Sequence, residues 1–561
     1  MRRYKLLTVI LCAVLLLTIV ACNKDSGTQG TEVSQPGDAS PNSSGDQSPS
    51  SSSATVGGAT PAGGSSVAPG GSSATEGANT LGRDTLTIAI AADQGTLSPA
   101  FVGSDIWGAM LCIFEQLWDV TTEGEMIWLL AESVDEVAPD RYTVHIRPGV
   151  KFSNGATLTA YDVLFSMEIY KNSGSTGAPR VQTVDFDRTN VIDDLTLDLY
   201  LLDFHVAHWT VLSEMLVYHK DSYNPETASN TPIGTGPYVV DEYVVNSHLF
   251  LKRRDDYWGD QPAIPNLRFR VLAETSQVVN AIETGMVDIG TVQSQDYEYV
   301  SQLSGYEIRE RYAALWLNMS FNPTDQSIMH NPEARYAVAH AIDRQAILDI
   351  VYYGRGRMMY NPVSAVVLDY EPRFDNLHTT YSEGYNVALA KQYADSSGLT
   401  GQTIRIVTNG TATHVIAAEI IQNMLKEIGV TVSINNYDVA SFASVSGDAS
   451  LFDIRIAGGI CPNYREADPL VNGVRYSAVL SAPGSWDDLD KYLEIAPKAL
   501  NTPDPQERSD ITYEALKLYT NACIVYPLCD TLSQMAFSED IAGPFIYRVC
   551  GSMRFSAMSF K

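Results

Sequence analysis

The chain has 561 residues, a formal net charge of −29 from 66 acidic against 37 basic side chains, and 45% hydrophobic residues. That length predicts two to four domain-sized units with ample material for packed cores. The acidic balance argues against a nucleic-acid partner, which needs Lys/Arg patches, and against charge-driven docking on an anionic membrane.

In chain order, the first segment is MRRYKLLTVILCAVLLLTIVAC. A basic start (Arg2, Arg3, Lys5) leads into an apolar run from Leu6 and ends on small residues before Cys22. This reads as a signal peptide, too short in its apolar part for a spanning helix. The small residues ahead of Cys22 resemble a bacterial lipobox, which implies cleavage before Cys22 and lipidation of its thiol. From residue 23 to about 82 the chain is Ser/Gly/Pro-rich and has no aromatic residue. It cannot bury enough surface to offset its ordering entropy, so a flexible tether is expected. About 60 such residues span roughly 40 Å root-mean-square.

A strand pattern, DTLTIAIAAD, opens the folded body at 84–93. RYTVHIRPGVKFSNG predicts strand, turn and short strand. TLTAYDVLFSMEIY predicts a helix, with Thr159 and Asp162 as a capping box and Ala160, Val163, Leu164 and Met167 at helical spacing. TPIGTGPYVV places two glycines before a strand. A phosphate loop has its glycines after a strand and before a helix, so the order speaks for a tight turn instead. NPEARYAVAHAIDRQAILDIVYYG reads as one helix over 331–354, capped by Asn331, with Pro332 in its first turn and Gly354 at its end. Its apolar positions Ala334, Val338, Ala341, Ile342 and Ile350 share one side. TIRIVTNG, THVIAAEIIQNMLKEIG and VTVSINNYD form a strand–helix–strand crossover over 403–436, the mark of a parallel sheet. LFDIRIAGG adds a further strand. Ligands of open α/β sheets sit beyond the carboxyl ends of the strands, which points to Asn409–Thr411 and to AGGICPNYREADP.

No HExxH occurs, and no GxSxG stands in the folded body, so the residues offer no sign of an enzyme or a cofactor. His205 and His208 in HVAH have i, i+3 spacing but no third ligand nearby in sequence. Cys112, Cys461, Cys523, Cys529 and Cys550 are an odd set without CxxC spacing, and their pairing stays open.

IGTGPYVVDEYVVNSHLFLKRRDDYWGDQPAIPNLRFRVL resembles a segment of the family 5 extracellular solute-binding proteins, the dipeptide, oligopeptide and nickel receptors of ABC importers. YTVHIRPGVKFSNGATLTAYDVLFS, AIETGMVDIG and LNMSFNPTDQSIMHNPEARYAVAHAIDRQAIL match further blocks in order, and the resemblance covers about residues 84–561. It implies an α/β, two-lobed periplasmic-binding-protein-like fold with an extra subdomain on lobe one. The division it implies is a signal peptide at 1–21, a lipidated cysteine and tether at 22–83, lobe one at 84–127, the extra subdomain at 128–229, lobe one again at 230–313, lobe two at 314–526, and a return to lobe one at 527–561. It also implies a lipid-anchored, monomeric receptor outside the cytoplasm, handing a solute, foremost a short peptide, to an ABC permease. Oligosaccharide, metal chelate, or a sensor or chaperone-like role on the same fold are the alternatives.

The resemblance places the ligand between a lobe-one loop, with Val102, Gly103, Ser104 and Asp105, and a lobe-two edge, with Gly458, Gly459, Cys461, Asn463 and Tyr464. Main-chain pairing there gives affinity independent of side chains. Peptide binders carry an aspartate where this chain has Asn463, so a charge-assisted contact is lost. Asp468 or Asp105 is expected to replace it, or the ligand lacks a free amine. Trp107 and Trp316 are the candidate cleft aromatics, and either suits a core equally well.

Overall fold

The computed structural model describes residues 83–93, 95–101, 106–121, 123–174, 177–377, 383–460, 474, 477–543 and 553–561. Cys22 and the expected tether lie outside them. Eleven strands form one mixed sheet that runs through the molecule. From one end the order is Thr431–Asn436, Thr403–Thr408, Ile454–Ile460, Tyr306–Phe321, Val525–Ser538, Ile289–Val292, Thr85–Ile90, Asn266–Val271, His248–Arg253 and Tyr238–Val244, with Gly356–Met358 also paired to Val525–Ser538. At one end, Thr85–Ile90 is parallel to Asn266–Val271. At the other, Thr403–Thr408 is parallel to both Thr431–Asn436 and Ile454–Ile460. The predicted crossover is therefore present, its helix being Ala412–Glu427.

The two halves of the sheet are joined through its two longest strands. Residues 306–312 of Tyr306–Phe321 pair with residues 532–538 of Val525–Ser538, beside Ile289–Val292. Residues 316–320 pair with residues 525–530, beside Ile454–Ile460. Between the two stretches the register slips, from Tyr312 to Trp316 and again from Leu317 to Asn318. A slip of this kind kinks the strands and raises local twist, so each strand leaves one half and enters the other in a new orientation. The result is the α/β two-lobed architecture expected from the sequence.

A separate four-stranded antiparallel sheet, Ala131–Ala138, Arg141–Ile146, Thr196–Tyr200 and Asn190–Asp193, is accompanied by the helix Ala160–Lys171. The capping box holds: Asp162 Oδ2 accepts from Thr159 N at 2.9 Å and from Thr159 Oγ1 at 2.7 Å. Arg254, almost fully buried, ties this unit to the first half of the main sheet. It donates to the carbonyls of Lys151, Phe152 and Gly236 at 3.1–3.4 Å. Three stretches distant in sequence thus meet on one guanidinium.

The paired glycines of GTGPY are packing residues. A Cβ on Gly234 would lie 2.2 Å from the carbonyl oxygen of Ile113, and one on Gly236 2.5 Å from that of Cys112. Gly236 N donates to Ile113 O at 2.9 Å. Only a residue without a side chain lets the turn lie against the end of the helix Trp107–Ile113.

The single helix expected over 331–354 is two, Pro332–Ala341 and Arg344–Val351. Asp343 breaks it: its Oδ1 accepts from Gln345 N at 3.0 Å and Ala346 N at 3.1 Å, an N-cap for the second helix. The turn of the axis leaves Ile350 exposed, so it does not share the face of Ala334 and Val338. No helix among the described residues is long and apolar enough to cross a membrane.

Candidate functional site

One rung of the main sheet crosses four strands near the slip in register. Gly459 faces Trp316, Trp316 faces Asp530, and Asp530 faces Arg357. Directly opposed residues project to the same face, so these four form a row on one side of the sheet. The Trp316 side chain is 4% exposed. Its indole lies over the α-carbon of Gly459, where a Cβ would be 2.2 Å from Nε1. With the Asn318 amide turned to satisfy both neighbours, its oxygen accepts from Trp316 Nε1 at 3.1 Å and its nitrogen donates to Ala457 O at 3.3 Å.

Asp530 is completely buried. Its Oδ2 accepts from Arg357 Nη2 at 2.6 Å, Arg357 Nε at 3.0 Å and Ser364 Oγ at 2.7 Å. Its Oδ1 has no partner. Burial pushes the carboxyl's pKa up, against the pull of Ser364 and Arg357. The Arg357 guanidinium also stacks 4.2 Å over the Tyr312 ring. Further along the same face, Arg455 reaches Ser320 Oγ with Nη2 at 3.3 Å, while its buried Nε has no partner. Burial pushes its pKa down. Neither Arg455 nor Asp530 stood out in the sequence. Each is one charge in an apolar strand, IRIAGG or VYPLCDTLS, and that isolation was the only available signal.

On the other side of the sheet, Asn409 stands at the carboxyl end of Thr403–Thr408. Its Oδ1 is 2.7 Å from His414 Nδ1 and accepts from Thr411 N at 3.2 Å. His414 lies in the first turn of Ala412–Glu427, and burial lowers its pKa, which favours a neutral ring. A Cβ on Gly458 would be 3.6 Å from His414 Nε2, so His414 links Asn409 to the glycine strand. The sequence reading passed over this histidine.

Trp107 begins the helix Trp107–Ile113 and is 5% exposed. The Arg180 guanidinium sits 4.7 Å over its ring and pairs with Glu214 at 3.3 Å, so Trp107 marks the junction of the first half with the four-stranded unit. Val102, Gly103, Ser104, Asp105, Cys461, Asn463, Tyr464 and Asp468 lie outside the described residues. His208 is buried against Trp209 and Tyr142. Among the described residues no group of three or more His, Cys, Asp or Glu side chains could hold a metal. Cys112, Cys523 and Cys529 are buried free thiols.

The second half also touches the four-stranded unit's chain. Val206 N donates to Leu500 O at 2.8 Å, and Asn501 Nδ2 donates to Phe204 O at 2.7 Å. Leu500 and Asn501 end the helix Leu489–Asn501, whose last carbonyls have no partner within the helix.

Residues 125–478, more than half the chain, match the model for bacterial extracellular solute-binding proteins, family 5 Middle. The oligopeptide-binding protein AppA of Bacillus subtilis is 22% identical over 54% of this chain and 60% of its own length, so the matched part is about three fifths of that relative. The nickel-binding periplasmic protein of Escherichia coli is 24% identical over 63% of this chain and 71% of its own. Among solved structures, NikA of Brucella suis in complex with Fe(III)-EDTA superposes with a TM-score of 0.75 at 20% identity, covering 85% of this chain and all of that one. AppA in complex with a nonapeptide gives 0.71 at 18% identity, with 85% and 99% covered. The fold is thus that of two-lobed binding proteins, and the chain belongs to the bacterial extracellular solute-binding proteins of family 5.

Proposed function

We propose that the chain is the substrate-binding receptor of an ABC importer. It captures a short peptide between its lobes and presents the closed form to a membrane permease. The family is one of binding proteins, and no chemistry on the ligand is called for. The observation that carries the reading is the pair of long strands, Tyr306–Phe321 and Val525–Ser538, which run through both halves and slip in register midway. Such a link lets two lobes turn about a short hinge, with boundaries near residues 313 and 526. A ligand bridging both lobes binds the closed state more tightly and shifts the population toward it. The loop 102–105 and the segment 458–468 are the proposed walls of the cleft, with Trp316 across Gly459 as its floor. Cys22 carries the proposed lipid anchor at the outer face of the membrane, and residues 23–83 the tether.

Native mass spectrometry of the purified protein tests this reading. Retained tri- to pentapeptides support it. A retained metal chelate would move the assignment to the nickel-type branch, a choice that the likeness to the nickel-binding relative keeps specific. A pull-down that recovers a signalling protein and no permease would contradict the transport role.

A further inference from the structure

The turn between the helix Arg344–Val351 and the strand Gly356–Met358 belongs to the second half, since Ile347, Leu348 and Val351 lie in that half's apolar core. Tyr353 has φ 54° and Gly354 φ 72°, two successive left-handed residues. A bulky residue seldom takes that conformation, so the surrounding contacts must hold the turn in place. The turn delivers Arg355 onto the first half. Arg355 Nη1 donates to Glu310 Oε1 at 2.6 Å, and its guanidinium lies over the ring of Tyr297, which opens the short helix Tyr297–Val300. Glu310 stands in the stretch 306–312, ahead of the slip in register. The contact therefore crosses the hinge, and both of its charged side chains are partly exposed.

Glu310 has a second neighbour. Gln534 stands directly opposite it on Val525–Ser538, and Val292 flanks Gln534 on the other side. Directly opposed residues share a face and bring their β-carbons within about 4.5–5.5 Å. Rotation about the Glu310 side chain is enough to bring its carboxylate to the Gln534 amide. Gln534 is 1% exposed, and neither its Nε2 nor its Oε1 has a partner. A buried amide left unpaired at both ends is uncommon and costly. Here the guanidinium has drawn Glu310 away from it. In this same arrangement the second half touches the four-stranded unit's chain, through Val206 with Leu500 and Phe204 with Asn501.

We infer that Glu310 is a two-position latch of the hinge: it pairs with Arg355 when the halves are in contact, and turns to the Gln534 amide when they part. The charge-assisted bond to the guanidinium is the stronger one, so Arg355 prevails while the second half is near. On opening, Arg355 withdraws with its half. Glu310 then accepts from Gln534 Nε2, which satisfies the amide that the closed form leaves unpaired. This bond offsets part of the ion pair lost, so the two arrangements stay close in free energy and a ligand needs only a modest preference to decide between them. The inference rests on the hinged-lobe reading above and goes beyond it, because it names what sets the balance before any ligand arrives.

The test measures the distance between the halves in the ligand-free full chain by double electron–electron resonance. Spin labels are placed at Asp241→Cys and Glu427→Cys, exposed positions near opposite ends of the main sheet, with Cys12, Cys22, Cys461 and Cys550 replaced by Ala. Wild type should show two distances, and the one that matches this structure counts as closed. Arg355→Met should lower the closed-to-open ratio about fivefold, as expected for a partly exposed ion pair with a stacked ring. Gln534→Leu should raise the ratio about threefold, because the open form loses its substitute bond. In a Glu310→Ala background, Gln534→Leu should no longer move the ratio. Salt at about 1 M should lower the ratio of wild type and leave that of Arg355→Met unchanged. Shifts in the same direction at 355 and 534, or an effect of Gln534→Leu that survives Glu310→Ala, would overturn the latch. A single distance shared by wild type and every variant overturns it too, and leaves the receptor's ligand class untouched. Should Gln534→Leu fail to fold, Glu310→Gln decides. It keeps a bond to Gln534 and weakens that to Arg355, so it should lower the ratio and abolish the salt dependence; an unchanged ratio refutes the inference.

Discussion

Gly459→Ala is the perturbation whose cost the structure fixes most closely. The added Cβ would lie 2.2 Å from the indole of Trp316, against the 3.4 Å at which ordinary contact begins. The ring must retreat by roughly 1 Å, and it is 4% exposed and tied to Asn318, so it has little room. Overpacking of this kind costs about 1–3 kcal/mol. Alanine recovers about 0.5 kcal/mol of backbone entropy over glycine in a strand. The net expectation is a loss of about 1–2 kcal/mol, a fall in Tm of several degrees for a lobe of about 200 residues. The neighbour supplies the control. A Cβ on Gly458 meets His414 Nε2 at 3.6 Å, an ordinary contact, so Gly458→Ala should leave Tm within about a degree. Trp316→Leu in the Gly459→Ala background should cost less than Trp316→Leu alone, because the clash is gone; differential scanning calorimetry of the four proteins reads that coupling. Equal effects at 458 and 459, or strict additivity with Trp316→Leu, would refute the packing argument.

Gly234→Ala meets a backbone carbonyl, Ile113 O, and no side chain can swing away. It should lower Tm more than Gly459→Ala, and a smaller fall would contradict the close approach. Burial pushes the thiols of Cys112, Cys523 and Cys529 up to about 12. Their unfolded pKa is about 8.5, so the neutral-thiol contribution is fully present below about pH 8.5 and is lost as pH rises toward 12, by up to about 1.4 kcal/mol per group per pH unit. With Cys12, Cys22, Cys461 and Cys550 replaced by Ala, the remaining three should resist a disulfide reagent at pH 8 until denaturant is added, and rapid native labelling would contradict their burial. Asn501→Ala removes the bond to Phe204 O. At about 1 kcal/mol, and if made only in the closed form, its loss should weaken ligand binding about fivefold without changing the Tm of the ligand-free protein. An unchanged affinity would place that contact outside the closing motion.

What could be read from the sequence depended on how far apart the deciding contacts were. The strand–helix–strand unit over 403–436 was legible because its periods are local and Gly429 ends the helix cleanly. The capping box at Thr159 was legible for the same reason. The break at Asp343 was hidden by apolar spacing that continues through Ala341 and Ile342, while the cap that splits the helix is a side-chain choice of the folded chain. The role of Gly459 was half legible: the glycine pair marked an unusual strand end, but the indole that needs it comes from Trp316, far upstream. Asp530 and Arg455 were illegible, because burial of a single charge follows from long-range pairing of four strands. The paired glycines of GTGPY lead into the strand through a bend at Thr235–Pro237, and the carbonyls of Cys112 and Ile113 that require them are visible only in three dimensions.

Small-angle X-ray scattering of the purified full chain, with and without peptide, tests the central claim of hinged capture most directly. Saturation with a retained peptide should lower the radius of gyration and raise Tm together, as the lobes turn about residues 312–316 and 527–530. A peptide that binds and stabilises the protein while the scattering curve stays unchanged would contradict closure.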